Sequence, residues 1–354
     1  MNTWPDRRIL DLLNIQLPIL QAPMAGAGGS ALAIAVGNAG GLGALPCAML
    51  GAEQIAEEVA AFRTACQAPL NLNFFCHAAL PRDAAREERW RQALKPYYDE
   101  VGADFQAPTP VSSRAPFDEQ TCQLVERLRP QVVSFHFGLP EAGLLGRVKA
   151  TGARILSSAT TVEEAVWLEQ RGCDAIIAMG YEAGGHRAMF LSEDLTTQIG
   201  TFALVPQVVD AVSVPVIAAG GIGDARGLSA ALALGASAVQ IGTAYLFTPQ
   251  AKVSAFHRQA LDTAAASQTA LTNLFTGRPA RGILNRVMRE LGPVSDLAPH
   301  FPLAGGALMP LRAITEAQHR DDFSNLWAGQ ALRLGQRRDA GELTRDIALG
   351  ALRR

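Results

Sequence analysis

Aromatic and charged residues are scarce in this chain. Of its 354 residues, 6% are Phe, Trp or Tyr and 18% are charged, and the net charge is −2. Without a basic excess the surface has little attraction for nucleic acid or an anionic membrane, so neither is expected as a partner. Because 49% of the residues are hydrophobic, the chain can bury a large core, which suits one large α/β domain with an appendage.

Cysteine is also rare, and its spacing excludes several kinds of site. The five cysteines include no CxxC pair, and their number is odd. We expect reduced, mostly buried side chains of a cytoplasmic protein. Cys76, beside His77, is a candidate nucleophile, but packing is the favoured interpretation for a free cysteine. No HxH, HExxH or carboxylate cluster indicates a metal site.

A continuous membrane span is missing as well. The segment from Leu12 to Ala52 has no charged residue, but Pro18, Pro23 and Pro46 interrupt it. The N-terminal residues lack the compact apolar core and cleavage site of a signal peptide. We therefore expect this segment to form strand, helix and strand inside a protein without a membrane anchor.

Short apolar runs alternate with helical patterns through the first 249 residues. Such runs are typical of parallel strands that are buried on both faces. Eight strands are predicted: Pro18–Ala22, Leu42–Leu45, Leu70–Phe75, Val132–Phe137, Arg154–Ser158, Ala175–Ala178, Val214–Ala218 and Ala238–Ile241. Eight strands that each lead into a helical connection match a closed (β/α)8 TIM barrel in the α/β class. An open doubly wound sheet is the alternative.

The alternation breaks in two places. Residues 76–120 are predicted to be an insertion into a barrel of residues 1–249. After the barrel, helical patterns at Gln259–Phe275 and Ala313–Gln336 flank a segment rich in Gly and Pro. Residues 250–354 are therefore predicted to form a mainly helical cap or substrate region that covers the barrel mouth together with the insertion.

Glycine, in contrast, is abundant at 33 residues, and it clusters after predicted strands. Gly220-Gly221 and Gly242-Thr243 follow the last two strands, where barrel enzymes often bind phosphate through backbone N–H groups. The alternative is a pair of tight turns that need glycine for their own conformation. Neither loop is a GxGxxG or Walker sequence, so a dinucleotide on a Rossmann half is not indicated.

Two histidines are candidates for chemistry at the same mouth. His186 ends the glycine pair Gly184-Gly185 just beyond the sixth strand, and an imidazole there can act as a general base. His136 ends the fourth strand and is expected to point at the same mouth. The alternative for each is a histidine in an ordinary turn or a supporting position.

Other strand ends offer groups to a flat ring. Ala22-Pro23-Met24, after the first strand, can supply backbone groups and an apolar wall. Asn73, at the end of the third strand, can both donate and accept, as the edge of a flavin requires. A turn-capping role is the alternative for Asn73.

Several segments match one enzyme family in order and spacing. They are Gln21-Ala-Pro-Met24, Asn71-Leu-Asn-Phe-Phe-Cys-His77, Ser134-Phe-His-Phe-Gly138, Glu182-Ala-Gly-Gly-His-Arg187, Ala218-Ala-Gly-Gly-Ile222 and Gln240-Ile-Gly-Thr243. From about Pro18 to Thr248 the chain resembles the nitronate monooxygenases, formerly called 2-nitropropane dioxygenases. Flavin-dependent enoyl-ACP reductases and NADH:quinone reductases share much of this pattern.

The resemblance implies a cytoplasmic, FMN-dependent enzyme that oxidises alkyl nitronates, and by extension nitroalkanes, with oxygen to a carbonyl compound and nitrite. An NAD(P)H-dependent FMN reductase of quinones or enoyl thioesters is one alternative, and a flavin-free barrel with a phosphate ligand is another. A homodimer is left open. The resemblance makes His186 the catalytic base, with His136 beside it. It assigns the cofactor to Ala22, Pro23, Met24, Asn73, Met179, Gly185, Gly220, Gly221, Gln240, Ile241, Gly242 and Thr243.

The chain also departs from the family pattern. Met179 stands where relatives usually have a glutamine that contacts the flavin, and Ala188 replaces a common glycine. Phe301, Gly305 and Met309 take the places of Tyr, Tyr and Lys in the better-known bacterial class. These differences bear on the substrate more than on the flavin.

The chemistry expected of His186 depends on its protonation. It is predicted to accept a proton from a neutral nitroalkane and to donate a hydrogen bond to a preformed nitronate. Because an unperturbed histidine titrates near pH 6.5, the reaction of the neutral substrate is predicted to accelerate as the pH rises through about that value.

Overall fold

The computed structural model describes residues 4–78, 81–110, 114–263 and 268–353. Its strands, numbered along the chain, are β1 (Ile19–Gln21), β2 (Gly43–Pro46), β3 (Leu70–Phe75), β4 (Val132–His136), β5 (Arg154–Ala159), β6 (Ala175–Met179), β7 (Gly185–His186), β8 (Val216–Ala219), β9 (Ala238–Ile241), β10 (Thr269–Thr272) and β11 (Ala280–Ile283). Its helices are α1 (Arg8–Leu13), α2 (Ser30–Asn38), α3 (Ala52–Ala65), α4 (Ala84–Val101), α5 (Glu119–Leu128), α6 (Ala142–Ala150), α7 (Val162–Gln170), α8 (Thr201–Ala211), α9 (Ala225–Ala233), α10 (Ala255–Asp262), α11 (Arg286–Glu290), α12 (Met309–Ala317) and α13 (Ala340–Leu352).

Eight parallel strands form a barrel. Hydrogen-bonded neighbours follow the order β1, β9, β8, β6, β5, β4, β3 and β2. A parallel bridge from Leu20 to Leu42, just before β2, brings the two ends of this order together. The barrel strands are almost entirely buried, because helices cover their outer face and side chains fill the interior. Each predicted strand is present within a few residues of its predicted place, so the TIM-barrel prediction is confirmed.

The last helix of the chain returns to the barrel. Helix α13 was not predicted from the sequence. It packs against α9 and α2 on the outside of the barrel. The chain between β9 and α13 therefore leaves the barrel and returns to the helices on its outside. The proposed division of the chain at residue 249 stays a prediction. Across the described ranges, no helix combines the length and the apolar character needed to cross a membrane.

A small antiparallel sheet joins the cap to the barrel. Strand β10 pairs with β11, and β11 pairs with β7, which follows barrel strand β6. The helix predicted at Gln259–Phe275 is wrong over its second half, because α10 ends at Asp262 and Thr269–Thr272 is a strand. Residues 264–267 of that prediction lie outside the described ranges. Pairing with a distant strand overrides the local helical pattern here.

The second helix predicted in the cap is also shorter than expected. Helix α12 ends at Ala317, and His319 has a φ of 60°, the left-handed conformation that commonly follows a helix end. Trp327 instead forms an antiparallel bridge to Gly282. Phe323 and Leu326, which a continuous helix would place on one face, belong to different hydrophobic clusters.

The insertion and the C-terminal region share a hydrophobic core. Trp90 and Leu94 of α4 pack in one cluster with Met288 and Phe323. The indole Nε1 of Trp90 donates a hydrogen bond of 3.0 Å to the backbone oxygen of Ala304. The buried apolar side chains of α4 therefore face the cap.

Candidate active site

A cavity of about 480 Å³ opens at the carboxyl ends of the barrel strands. All but one of the predicted site residues line it: Ala22, Pro23, Met24, Asn73, His136, Met179, Gly185, His186, Gly220, Gly221, Gln240, Gly242 and Thr243. The exception is Ile241, whose side chain is fully buried in the barrel core. Successive side chains of a strand point to opposite faces, so Gln240 and Ile241 cannot both face the cavity.

One wall of the cavity consists of backbone at the ends of β8 and β9. Gly220 and Gly221 have φ values of 106° and 73°, which favour glycine. The carboxylate of Glu182 accepts hydrogen bonds from the N–H and the hydroxyl of Thr201, at 2.8 and 2.7 Å. The same hydroxyl oxygen lies 3.0 Å from the backbone oxygen of Gly220. Glu182 and Thr201 thereby fix the loop that the sequence predicts as a phosphate site.

The backbone conformation at position 242 does not require glycine. Its φ is −113°, and a Cβ built there would lie 3.3 Å from the Cβ of Ala22 and 3.7 Å from the sulfur of Met24. These two side chains line the cavity as well. The absence of a side chain at Gly242 therefore keeps the junction between the first and last barrel strands open.

Two amides on the same wall have capacity for a ligand. The Oε1 atom of Gln240 is buried without a hydrogen-bond partner among the described residues. Buried polar atoms nearly always have a hydrogen-bond partner, so a group bound in the cavity is expected to donate a hydrogen bond to this oxygen. The Nδ2 of Asn73 donates to the hydroxyl of Ser134 at 2.9 Å, which leaves its oxygen for a ligand. These amides, with the glycine loops, fit a flat group that carries both donors and a phosphate.

His186 forms the opposite wall together with the cap. It lies in β7, opposite Ala280 of β11. Its Nε2 lies 2.9 Å from the hydroxyl oxygen of Thr276, which belongs to the loop between β10 and β11. The cap therefore fixes the orientation of the imidazole, and this contact could not be read from the local sequence.

His136 reaches the same mouth but contacts the backbone of His186. Its Nε2 lies 3.2 Å from the backbone oxygen of His186 and donates to it. Burial lowers the pKa of His136 to about 4, so the ring is neutral at physiological pH. The structure brings the two predicted histidines together, with His136 supporting the loop that carries the other.

The imidazole of His186 is also neutral at physiological pH. Burial lowers its pKa well below the ordinary value, and the positive charges of Arg114 and Arg278 act in the same direction. A neutral imidazole is the form that accepts a proton. Because the pKa of His186 is lowered, the acceleration predicted near pH 6.5 is now expected at more acidic pH.

Four aromatic rings surround His186. The ring centroids of Phe301, Trp327, Phe137 and Phe75 lie 5.5, 5.6, 5.9 and 6.1 Å from that of the imidazole. Such rings exclude water, which accounts for the strong effect of burial on the pKa of His186. We define Phe75, Phe137, Phe301 and Trp327 as the aromatic cage.

The residues at which this chain departs from the family pattern lie in different parts of the structure. Phe301 belongs to the cage and brings no hydroxyl to His186. Met309 is half exposed, and neither it nor Gly305 lines the cavity. Met179 does line it, at the end of β6. Trp327 falls within the helix predicted at Ala313–Gln336, but it lies in a β-bridge and lines the cavity.

Arg187 has a structural role beside His186. Its side chain is fully buried, and its guanidinium donates to the backbone oxygens of Gly180 and Met179 at 2.6 and 2.7 Å. A third hydrogen bond of 2.9 Å reaches Oε1 of Gln198. Arg187 therefore ties the loop that carries His186 to the end of β6.

Cys76 does not have the character of a nucleophile. Burial raises the pKa of its thiol well above the ordinary value. The thiolate is the nucleophilic form, so this environment favours the unreactive thiol.

Comparison with known proteins identifies the family. The family model described as nitronate monooxygenase matches residues 6–350. The chain belongs to the nitronate monooxygenase family. It is 41% identical over 346 residues to a nitronate monooxygenase of Pseudomonas aeruginosa, covering 96% of this chain and 97% of that relative. It is 39% identical over 344 residues to a nitronate monooxygenase of Paraburkholderia phytofirmans, covering 96% of this chain and 94% of that relative.

A solved structure gives the same result. A nitroalkane oxidase from Streptomyces ansochromogenes is similar to this chain with a TM-score of 0.88 and 35% identity, over 97% of both chains. The predicted membership of the nitronate monooxygenase family, and with it an oxidoreductase, is confirmed. Members of this family are in general flavin-dependent. These relatives do not favour the reductase alternative.

Proposed function

We propose that this chain catalyses the FMN-dependent oxidation of alkyl nitronates by oxygen to a carbonyl compound and nitrite. Neutral nitroalkanes enter the same reaction once a proton has been removed. The observation that carries the proposal is a neutral histidine, His186, facing a cavity whose other wall is glycine-rich backbone. A cytoplasmic location belongs to the same proposal, and a homodimer stays a prediction.

The barrel wall is the part of the site that suits FMN. Gly220, Gly221, Gly242 and Thr243 would hold the phosphate, since their loops offer backbone N–H groups without intervening side chains. The unpartnered Oε1 of Gln240 would accept a hydrogen bond from the cofactor. When bound there, FMN supplies the electron-transfer chemistry that protein side chains lack.

The cap wall would supply the acid–base chemistry. His186 would take the α-proton of a neutral nitroalkane, because its imidazole is unprotonated and lines the cavity. The aromatic cage keeps water away from this histidine, and its two members that line the cavity, Phe75 and Trp327, would give an alkyl group an apolar surface. The guanidinium of Arg114, which also lines the cavity, adds positive charge that favours an anionic nitronate.

Anaerobic mixing experiments test this function. The flavin-loaded protein is mixed with an alkyl nitronate, with NADH or with NADPH while the absorbance of the flavin is followed, and nitrite is measured after oxygen is admitted. We expect rapid bleaching by the nitronate only, followed by nitrite and a carbonyl compound. Rapid bleaching by a nicotinamide without nitrite formation would assign the chain to the reductases.

The identity of the flavin needs its own measurement. Flavin released by heating the purified protein is expected to be FMN, at about one per chain, because the short glycine loops offer a site for one phosphate. Release of FAD, or failure to take up FMN on reconstitution, would contradict the assignment of these loops.

A further inference from the structure

The hydroxyl of Thr276 contacts three polar groups. Its oxygen lies 2.9 Å from Nε2 of His186, 3.3 Å from the backbone oxygen of Arg278 and 3.4 Å from the backbone nitrogen of Arg278. Only 1% of Thr276 is exposed. A hydroxyl has one proton and two lone pairs, so it can donate to the Arg278 oxygen or to His186, but not to both.

One arrangement satisfies all three contacts. If the hydroxyl donates to the Arg278 oxygen, its lone pairs accept from the N–H of Arg278 and from a proton on Nε2 of His186. If it donates to Nε2 instead, the Arg278 oxygen loses its donor. No other group in the described ranges donates a hydrogen bond to that oxygen. The first arrangement is therefore favoured, since it alone satisfies all three contacts of the hydroxyl.

The other ring nitrogen of His186, Nδ1, makes no hydrogen bond to any described residue. It is also not among the buried side-chain nitrogen and oxygen atoms that lack a hydrogen-bond partner. Because His186 lines the cavity, Nδ1 is open to a ligand there. A neutral imidazole carries its proton on one nitrogen only, so a proton on Nε2 leaves the lone pair on Nδ1.

We propose that Thr276 is a positioning residue that selects the Nε2–H tautomer of His186, so that Nδ1 presents its lone pair to the substrate. This rests on the proposed function, in which His186 is the base. In the proton transfer, the α C–H bond of the nitroalkane breaks and an N–H bond forms at Nδ1. The electron pair left on carbon is delocalised onto the nitro group, which gives the nitronate.

The two tautomers predict different substrate preferences. With the proton on Nε2, His186 can accept the α-proton of a neutral nitroalkane. With the proton on Nδ1, the ring would present a donor to the cavity, which suits an anionic nitronate but cannot accept a proton. Loss of the Thr276 hydroxyl should therefore harm the neutral substrate and largely spare the nitronate.

Paired variants measure this difference. Thr276→Val removes the hydroxyl at similar volume, and Thr276→Ser keeps it. Thr272→Val is the matched control, because Thr272 is a fully buried threonine of β10 whose hydroxyl accepts from the N–H of Leu274 at 3.1 Å. We expect Thr276→Val to lower kcat/KM for a neutral nitroalkane on the order of tenfold, the size of one lost hydrogen bond, and Thr276→Ser to restore most of it.

The ratio of the two substrates separates positioning from stability. Thr272→Val should lower the melting temperature without changing the ratio of kcat/KM for the nitroalkane and its nitronate. Thr276→Val should change that ratio. An equal loss for both substrates in Thr276→Val, or a similar change of ratio in Thr272→Val, would overturn the positioning role.

Nuclear magnetic resonance gives a readout without turnover. In flavin-loaded protein labelled with ¹⁵N-histidine, the His186 signals are those lost in His186→Asn, and their shifts show which nitrogen is protonated. We expect Nε2–H in the wild type and a mixture of tautomers in Thr276→Val. A proton on Nδ1 in the wild type would overturn the inference even if no variant folds.

The same spectrum separates failure of this inference from failure of the proposed function. A wild type with the Nε2–H tautomer that oxidises neither nitroalkane nor nitronate would support the role of Thr276 and contradict the proposed reaction. A wild type that oxidises both substrates but carries the proton on Nδ1 would support the proposed reaction and contradict the role of Thr276.

Discussion

The two walls of the cavity are built in different ways. The barrel wall is mostly backbone, in loops that follow directly from neighbouring strands. The cap wall consists of side chains held by contacts between distant parts of the chain, such as His186 and Thr276, which are 90 positions apart. The barrel wall is the proposed cofactor site, whereas the cap wall determines the protonation and surroundings of His186, the proposed base. Changes to the two walls should therefore have separable effects.

The largest expected effect comes from the histidine of the cap wall. His186→Asn should lower turnover of a neutral nitroalkane by about 10²–10⁴-fold, the usual contribution of a general base. The loss with the preformed nitronate should be smaller, because its proton is already gone. FMN content should not change, since the barrel wall is untouched. Steady-state nitrite formation with the two substrates measures the difference.

Two other histidines serve as controls for this variant. His136→Asn alters a contact to the backbone of His186 and should cost less. His319→Asn changes an exposed residue in a left-handed conformation that asparagine also adopts, and should have no effect. Equal losses for nitroalkane and nitronate in His186→Asn would reduce His186 to a positioning role.

The barrel wall was the part most accessible from the sequence. Buried strands read as short apolar runs, and glycines at their ends mark turns, so periodicity and composition alone place Gly220, Gly221 and Gly242 at one mouth. Gly220 and Gly221 follow β8, and Gly242 follows β9. These two strands are consecutive among the barrel strands and lie side by side, so the two loops are neighbours.

The cap wall could not be predicted in the same way. Thr276 looks like an ordinary loop residue, and its role depends on β7 pairing with β11 across a long stretch of chain. Trp327 matched a helical stripe because its apolar neighbours happen to have helical spacing, but those neighbours are buried in separate clusters. Local patterns carry no information on such pairings, and tertiary contacts overrode them.

The second-largest effect is expected where the two walls are joined. Arg187→Met removes three hydrogen bonds and leaves the carbonyl groups of Gly180 and Met179 without this donor. We expect a loss of about 3 kcal/mol in the free energy of unfolding, measured by urea denaturation of the flavin-loaded protein. Arg333→Met, at an exposed site, should change it by less than about 0.5 kcal/mol. If Arg187→Met lowers the free energy of unfolding by as little as Arg333→Met does, the loop is held in place without the Arg187 side chain.

A smaller effect is expected on the barrel wall itself. Gly242→Leu places a side chain against Ala22 and Met24 and should weaken FMN binding by roughly tenfold to a hundredfold, the range for an overpacked site. Because the φ of Gly242 does not require glycine, the folded state should lose less stability than in Gly221→Leu. Fluorescence titration of the apoprotein with FMN measures the affinity.

The matched control for this change is a glycine away from the cavity. Gly143 is exposed in α6, and a Cβ there meets nothing within 4 Å. Gly143→Leu should leave FMN affinity unchanged. If Gly242→Leu keeps full affinity and only unfolds more easily, the loop is a tight turn and not a phosphate site.

The smallest expected effect is the response of the wild type to pH near neutrality. A base with the ordinary histidine pKa would increase its neutral fraction about twofold between pH 6.5 and 8. Because burial and the positive charges of Arg114 and Arg278 lower the pKa of His186, kcat/KM for a neutral nitroalkane should be nearly constant over that range. It should fall only at more acidic pH, where the imidazole becomes protonated.

Opening the aromatic cage sharpens this test. Phe301→Ala removes a ring whose centroid lies 5.5 Å from that of His186, so water can reach the imidazole and stabilise its charged form. The acid limb of the rate profile should then move to higher pH, toward the ordinary value of about 6.5. Initial rates with freshly diluted nitroalkane, which contains little nitronate, give the profile for both proteins. An acid limb already near pH 6.5 in the wild type, unmoved by Phe301→Ala, would show that the cap wall does not shield His186.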